Sequence, residues 1–418
     1  MMAEFFNVLP PDEARALLLA HLTTPPATET VATADALGRV TARPILAPHP
    51  LPTFRRSTMD GYAVRAADTH GASETLPALL RVVGEVGMGR AASVAVGPGE
   101  AASVHTGGMI PDTAGAVVQV EHTQRIDRAA LAGFPYEIEV LRPVAEGQNV
   151  IQVGEDVAGG AEVLAAGRRL RPQDLGGLLA LGLTSVAVAR RPRVAILATG
   201  DEVVAPEATP GPGQVRDINS YTIAALAQTA GGLPRRWGIV ADDLAALRAA
   251  AEAALAESEM VVITAGSSVS ARDMTATVIA GLGAPGVLLH GVATRPGKPT
   301  IVGAVAGKPV LGLPGNPVSA LVQFDMFGVP ALYHLQGLAG PPPRQRVWAR
   351  LAANVPSASG REDYVPARLE QDAGGLLAVP VFGKSNLIYT LVGADGLIVV
   401  PLNRAGLMAG DTVEVRLF

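Results

Sequence analysis

Between residues 192 and 335 the chain repeats one rhythm: a short apolar run, a loop, then an amphipathic helix. "RVAILATG" reads as a buried strand and "INSYTIAALAQTAGG" as a helix that ends at glycines. "WGIV" is followed by "DDLAALRAAAEAALAES", whose acidic start suits a helix dipole, and "MVVITAG" by "ARDMTATVIAGL". "KPVLGLPG" and "NPVSALVQFDMFGVPALYHL" close the series. Apolar strands alternating with helices leave few solutions. The spacing predicts a doubly wound α/β domain, in which ligands bind at the carboxyl ends of the strands.

The flanks read differently. Residues 11–40 are predicted helical, through "PDEARALLLAHL" and "ATADALGRV". Short β-type runs such as "ALLRVVGEV", "GAVVQVEHT" and "YEIEVLRPV" then predict a β-rich insert. After the linker "GPPPRQ" the chain is β-rich to its final "DTVEVRLF", which predicts a small barrel or sandwich of ~75 residues. The expected α/β multidomain layout is a mixed linker domain (1–44 and 149–191), the insert (45–148), the α/β domain (192–339) and a C-terminal β domain (340–418). The length of 418 residues agrees with about two to four domains.

Hydrophobic residues make up 49% of the chain and aromatics only 4%, so the cores are built of Ala, Val and Leu. With no cysteine there is no disulfide, thiolate metal site or thiol nucleophile. A net charge of −5 without a basic stripe argues against a nucleic-acid surface. The longest apolar stretch, from Leu175 to Ala189, runs about 15 residues against the roughly 20 of a membrane helix. The first residues lack a basic segment followed by an apolar run. The expectation is a cytoplasmic protein with no membrane or nucleic-acid partner.

The α/β loops bring one kind of chemistry to one sheet edge. Asp201 and Glu202 follow the first strand, and Asp242 and Asp243 the second. Gly266, Ser267, Ser268, Ser270 and Asp273 follow the third. "GLPGNPVS" follows the last, with Asn316 as a candidate N-cap, Pro317 at N1 and Ser319 in the first turn. Asp and Ser at such junctions are ordinarily caps. Four such loops on one edge, however, make a plausible place for phosphate on backbone N–H groups and for Mg²⁺ on carboxylates. "RPGKP" sets Arg295 and Lys298 on a proline-stiffened loop. The chain has 33 Lys+Arg but only three lysines, so a lysine kept here suits a small tetrahedral oxyanion better than a planar fork would. Asp60–Gly61 carries a hairpin-turn signal, and Glu155–Asp156 reads as a solvated turn.

Taken together, "STMDGYAV", "TGGMIPDTAGAVV", "VGEDV", "ATGDEV", "AGSSVSARD", "RPGKPT" and "GLPGNPVSAL" resemble, in order and over nearly the whole chain, the MoeA family. These are the molybdopterin molybdenumtransferases, related to the E domain of gephyrin and its plant counterpart. The resemblance implies Mg²⁺-dependent insertion of molybdate into adenylated molybdopterin with release of AMP. It implies a homodimer whose site is shared between subunits, and a molybdopterin adenylyltransferase as a partner. Carried over by motif, Asp60, Asp156, Glu202, Asp242, Asp273 and Lys298 would be catalytic. Glu202, Asp243 and Asp273 would face the metal. Thr106, Thr199, Gly200, Gly266, Ser268, Pro314, Gly315, Asn316 and Pro317 would hold molybdopterin. Arg295, Lys298, Pro299, Ser319, Arg361 and Ser385 would hold molybdate. Where the family often reads "GGVSVG" this chain has "GSSVSA"; Arg295 stands for a lysine, and Ala276 for another. The alternatives are a non-catalytic molybdopterin-binding scaffold or a tungstate-using paralogue. A lone adenylyltransferase is disfavoured by the long flanking domains.

Overall fold

The computed structural model describes residues 8–126, 133–265, 269–340 and 342–418, the side chains of 269–271 excepted. Residues 44–165 and 176–184 form one compact unit and the remaining residues another.

The larger unit is organised on a six-stranded sheet. Its spatial order is Leu233–Val240, Arg193–Thr199, Met260–Ala265, Lys308–Pro314, Ile301–Val305 and Pro285–His290. The first four strands are parallel, as the alternation of strands and helices predicts. The last two are antiparallel additions that the rhythm did not announce. Alternation along each strand feeds two cores. Val194, Ile196, Val262 and Leu311 face Ile223 of helix Asn219–Thr229 together with Phe324 and Phe327. Ala195, Leu197, Val261 and Ile263 face Leu247 and Ala251 of helix Leu244–Glu257 and Val278 and Ile279 of helix Val269–Gly281. Phe324 and Phe327 are fully buried, which stabilises the fold by about 1.5–3 kcal/mol each. The closing helix is not uniform. Pro317–Gln323 widens into a π turn over Phe324–Gly328 and continues as Val329–Leu335. Pro330 lies in the first turn of that last segment, where a missing N–H is tolerated.

The C-terminal strands Arg346–Leu351, Glu362–Asp372, Gly375–Pro380, Gly396–Val400 and Thr412–Leu417 close into a five-stranded barrel around Ala349, Leu351, Ala367, Ala378, Ile398 and Val415. Closure gives each of the five strands a neighbour on both sides. A sixth, two-residue strand, Thr294–Arg295, lies parallel on Glu362–Asp372, pairing Thr294 with Glu362 and Arg295 with Asp363. That short ladder ties a loop of the α/β sheet to the barrel.

One predicted helix is absent. Thr28–Ala32 is a strand, antiparallel to Ser185–Ala189, and only a single 3₁₀ turn, Thr33–Asp35, follows it. The β-branched Thr28, Thr30 and Val31 favour that outcome once a partner strand exists.

The smaller unit holds the expected β-rich segment. Its main sheet runs Ala116–Gln119, Gly61–Val64, Glu100–Val104, Ala78–Val86, Tyr136–Val140, Thr123–Ile126. Asp60–Gly61 is not a hairpin turn. The strands on either side of it, Arg56–Ser57 and Gly61–Val64, pair with other strands and not with each other. Glycine is required at 61 for a different reason: a Cβ there would meet the Val118 carbonyl oxygen at 1.9 Å. Among the described residues no helix is long and apolar enough to cross a membrane.

Candidate functional site

The oxyanion candidates converge. A cavity of about 900 Å³ in the larger unit is lined by Arg295, Lys298, Pro299, Ser319, Arg361 and Ser385, together with Pro314 and Asn316. Three separate segments supply them: the loop after the edge strand Pro285–His290, the start of the closing helix, and the barrel.

Each segment is held by identifiable bonds. Gln323, fully buried on the closing helix, donates from Nε2 to Thr294 Oγ1 at 3.0 Å and to the Pro296 carbonyl at 2.9 Å. The Gly297 carbonyl accepts from the Thr300 hydroxyl at 2.7 Å and from the Thr300 N–H at 3.1 Å. The Val292 N–H reaches the Lys298 carbonyl at 2.9 Å. These bonds, with Pro296 and Pro299, fix the loop backbone and leave Lys298 exposed, with no ion pair among the described residues.

Asn316 is the N-cap residue of Pro317–Gln323 by position, but its side chain does not cap. It donates from Nδ2 to Ser385 Oγ at 3.0 Å, and the Val318 N–H reaches the Ser385 carbonyl at 3.1 Å. The helix start is therefore satisfied from the barrel, and Ser385 is drawn to the cavity by the same contact. The Gly315 carbonyl accepts from Asn219 Nδ2 at 2.8 Å, which pins the "LPGNP" turn to a second helix.

Two cavity cations were missed in the sequence, Arg272 and Lys384, and so was one carboxylate, Asp363. Lys384 had a readable signal: it is one of only three lysines, and the scarcity that singles out Lys298 applies equally to it. The third, Lys308, donates to the Leu255 carbonyl at 2.8 Å and serves the fold.

The acidic set at the carboxyl edge is looser. Thr199, buried at the end of its strand, donates its hydroxyl to Asp242 Oδ1 at 2.5 Å. Asp243 is the N-cap of Leu244–Glu257, its Oδ1 accepting the Ala246 N–H at 2.8 Å, so the expected acidic first turn is in fact an acidic cap. Gly200 follows the strand with φ +148, and Glu202 and Asp273 are exposed. Among the described residues no three carboxylate or imidazole groups converge on one point. Gly266, Ser267 and Ser268 lie outside the described residues, as does the side chain of Ser270.

In the smaller unit Asp60 and Thr106 are partners. Thr106 donates to Asp60 Oδ1 from its N–H at 2.8 Å and from its hydroxyl at 3.1 Å. These two bonds, the backbone one first, hold the Asp60 carboxyl below its ordinary range, with a smaller contribution from His105. Asp156 is exposed, its N–H bonded to the Leu51 carbonyl at 3.1 Å.

Comparison with known proteins agrees over the whole length. Three family profiles match in sequence: the MoeA N-terminal region (domain I and II) over residues 9–182, a probable molybdopterin binding domain over 195–334, and the MoeA C-terminal region (domain IV) over 348–418. The chain is similar to molybdopterin molybdenumtransferase 2 of Mycobacterium tuberculosis, 34% identical over 392 residues, 92% of this chain and 94% of that protein. It is equally similar to the molybdopterin molybdenumtransferase of Bacillus subtilis, 34% identical over 417 residues, 100% of this chain and 95% of that protein. The crystal structure of a molybdopterin biosynthesis MoeA protein from Pyrococcus horikoshii OT3 matches with a TM-score of 0.84 at 33% identity, covering 99% of this chain and 100% of that one. The chain belongs to the MoeA family.

Proposed function

We propose that the protein is a molybdenumtransferase of molybdenum cofactor biosynthesis, which inserts molybdate into adenylated molybdopterin and releases AMP. The observation that carries this reading is the cavity. It gathers every residue that the sequence nominates for a tetrahedral oxyanion onto three braced segments. Its relatives bear the transferase name.

In this reading Arg295, Lys298 and Arg361 supply positive charge to the oxyanion, and the Ser319 and Ser385 hydroxyls supply directional hydrogen bonds. Holding it beside the reacting dithiolene removes much of the entropic barrier. Lys298 contributes a compact, mobile ammonium where a fixed fork would constrain the approach. The carboxyl edge, with Thr199 steering Asp242, and the "LPGNP" turn take the molybdopterin phosphate side. Mg²⁺ would be held by one or two of Glu202, Asp243 and Asp273 together with the substrate pyrophosphate, and would neutralise phosphate charge there. We also propose that the protein works as a homodimer, with Asp60, Thr106 and Asp156 supplied to the site by a second copy.

The test is AMP release from adenylated molybdopterin by purified protein with Mg²⁺, with and without molybdate. Molybdate-stimulated release is expected, and Lys298→Ala should abolish the stimulation while leaving nucleotide binding in place. Tight binding without release would make the protein a carrier. Stimulation by tungstate alone would make it a tungstate enzyme.

A further inference from the structure

The oxyanion cavity contains a carboxylate. Five cations line it, Arg272, Arg295, Lys298, Arg361 and Lys384, and among them lies Asp363, only 2% exposed. A buried negative charge in a pocket for anions opposes binding unless it does something else. Its contacts identify what. Asp363 Oδ1 accepts from Arg361 Nε at 2.9 Å and Oδ2 from Arg361 Nη2 at 3.4 Å, a side-on fork. Arg295 Nη1 lies 3.6 Å from Oδ2. Arg295 and Arg361 are themselves 62% and 36% exposed. The carboxylate therefore pairs with one guanidinium along an edge and lies beside the other, while both arginines also line the cavity.

The placement is set by the backbone. In the two-residue ladder Arg295 stands opposite Asp363, and the Glu362 N–H donates to the Ala293 carbonyl at 2.9 Å. Two arginines from separate segments of the chain are thus indexed to one buried acid. A guanidinium on a flexible stem loses rotamer freedom when it binds an anion, and one already clamped loses less. A planar fork held by one edge also presents its remaining donors in a fixed plane.

We propose that Asp363 is a positioning residue for oxyanion binding: it orients Arg361 and Arg295, and its orienting effect outweighs its repulsion of the anion. This rests on the reading of the cavity given above. The two possible roles have opposite signs. A carboxylate that only offsets charge would weaken anion binding, and its neutralisation would tighten it. A positioning carboxylate gives the reverse.

The experiment is calorimetric titration of the purified full chain with molybdate alone, on the wild type, Asp363→Asn and Arg361→Lys. Asp363→Asn is expected to weaken binding about tenfold, the loss of one charge-assisted pairing. Arg361→Lys keeps the charge without the fork and should weaken it comparably. Arginine Nε–H NMR signals report the clamp without any ligand: the Arg361 signal should be restrained in the wild type and averaged in Asp363→Asn. Equal or tighter binding by Asp363→Asn overturns the proposal, as does an Arg361→Lys variant that binds like the wild type. An Arg361 signal unchanged by the substitution also overturns it, whatever the binding does. Wild-type protein that binds no molybdate overturns the reading of the cavity, and the positioning role falls with it.

Discussion

Gly297 is where backbone conformation, packing and the site meet, and Gly297→Ala tests all three. The residue has φ +104, a region that an L side chain enters at a cost of about 1–3 kcal/mol. A Cβ there would lie 2.4 Å from Cγ and Nε2 of Gln323, well inside any normal contact. Gln323 is fully buried and cannot swing into solvent. It must give up its bonds to Thr294 and Pro296, at about 0.5–1.5 kcal/mol each. The sum is about 2–6 kcal/mol, divided about equally between backbone strain and the lost Gln323 bonds. Gly360→Ala is the matched control. It lines the same cavity with φ +91, but a Cβ there meets nothing within 4 Å, so only backbone strain of about 1–3 kcal/mol remains. Urea unfolding followed by tryptophan fluorescence reads the difference, since Trp237 and Trp348 both lie in the larger unit. Gly297→Ala should be the less stable by about 1 kcal/mol or more, the value of the Gln323 bonds, and should also lose molybdate affinity. Equal destabilisation by the two variants, with binding intact, would refute the claim that Gln323 braces the loop.

Two further outcomes follow from charge. Thr106→Val removes one of the two bonds that depress the Asp60 carboxyl, so its pKa should rise partway toward the ordinary carboxylate range while the Thr106 N–H still holds it down. Because the folded pKa is lowered, the contribution of Asp60 to stability is present above about pH 4 and is lost as pH falls through the lowered value. Carbon NMR titration of the Asp60 carboxyl checks this, and an unshifted curve would remove the hydroxyl from the account. Asp174 is nearly buried; burial pushes its pKa up, but bonds from the Arg171 side chain and N–H and from Arg168 outweigh that and lower it. Asp174→Ala should cost about 2–3 kcal/mol in urea unfolding above pH 5 and progressively less as acid protonates the wild-type group. A loss independent of pH would show that the ion pairs contribute nothing.

What the sequence made legible is what local pattern encodes. The four parallel strands follow from apolar runs between helices, and a small C-terminal barrel or sandwich from the spacing of short strands. Lys298 stood out because lysine is scarce. What it hid depends on distant partners. Thr28–Ala32 becomes a strand only because Ser185–Ala189 lies beside it. Asn316 looks like a cap, yet its amide bonds to Ser385, 69 residues on. Asp363 sits two residues beyond Arg361, which the sequence nominates, and acquires meaning only when the register sets it opposite Arg295. Asp243 is the converse case, a carboxylate whose local role as a cap is its evident one.

The two-residue ladder between Thr294–Arg295 and Glu362–Asp372 also sets an order of events during synthesis. The α/β sheet is complete in sequence at Pro314, but Arg361, Asp363 and Ser385 emerge from the ribosome later. Domains fold as they emerge, at roughly 5–20 residues per second. At that rate a nascent chain has all the strands of the sheet several seconds before the last residues of the pocket. A chain that ends before Arg361 lacks Arg361, Asp363, Lys384 and Ser385 of its lining.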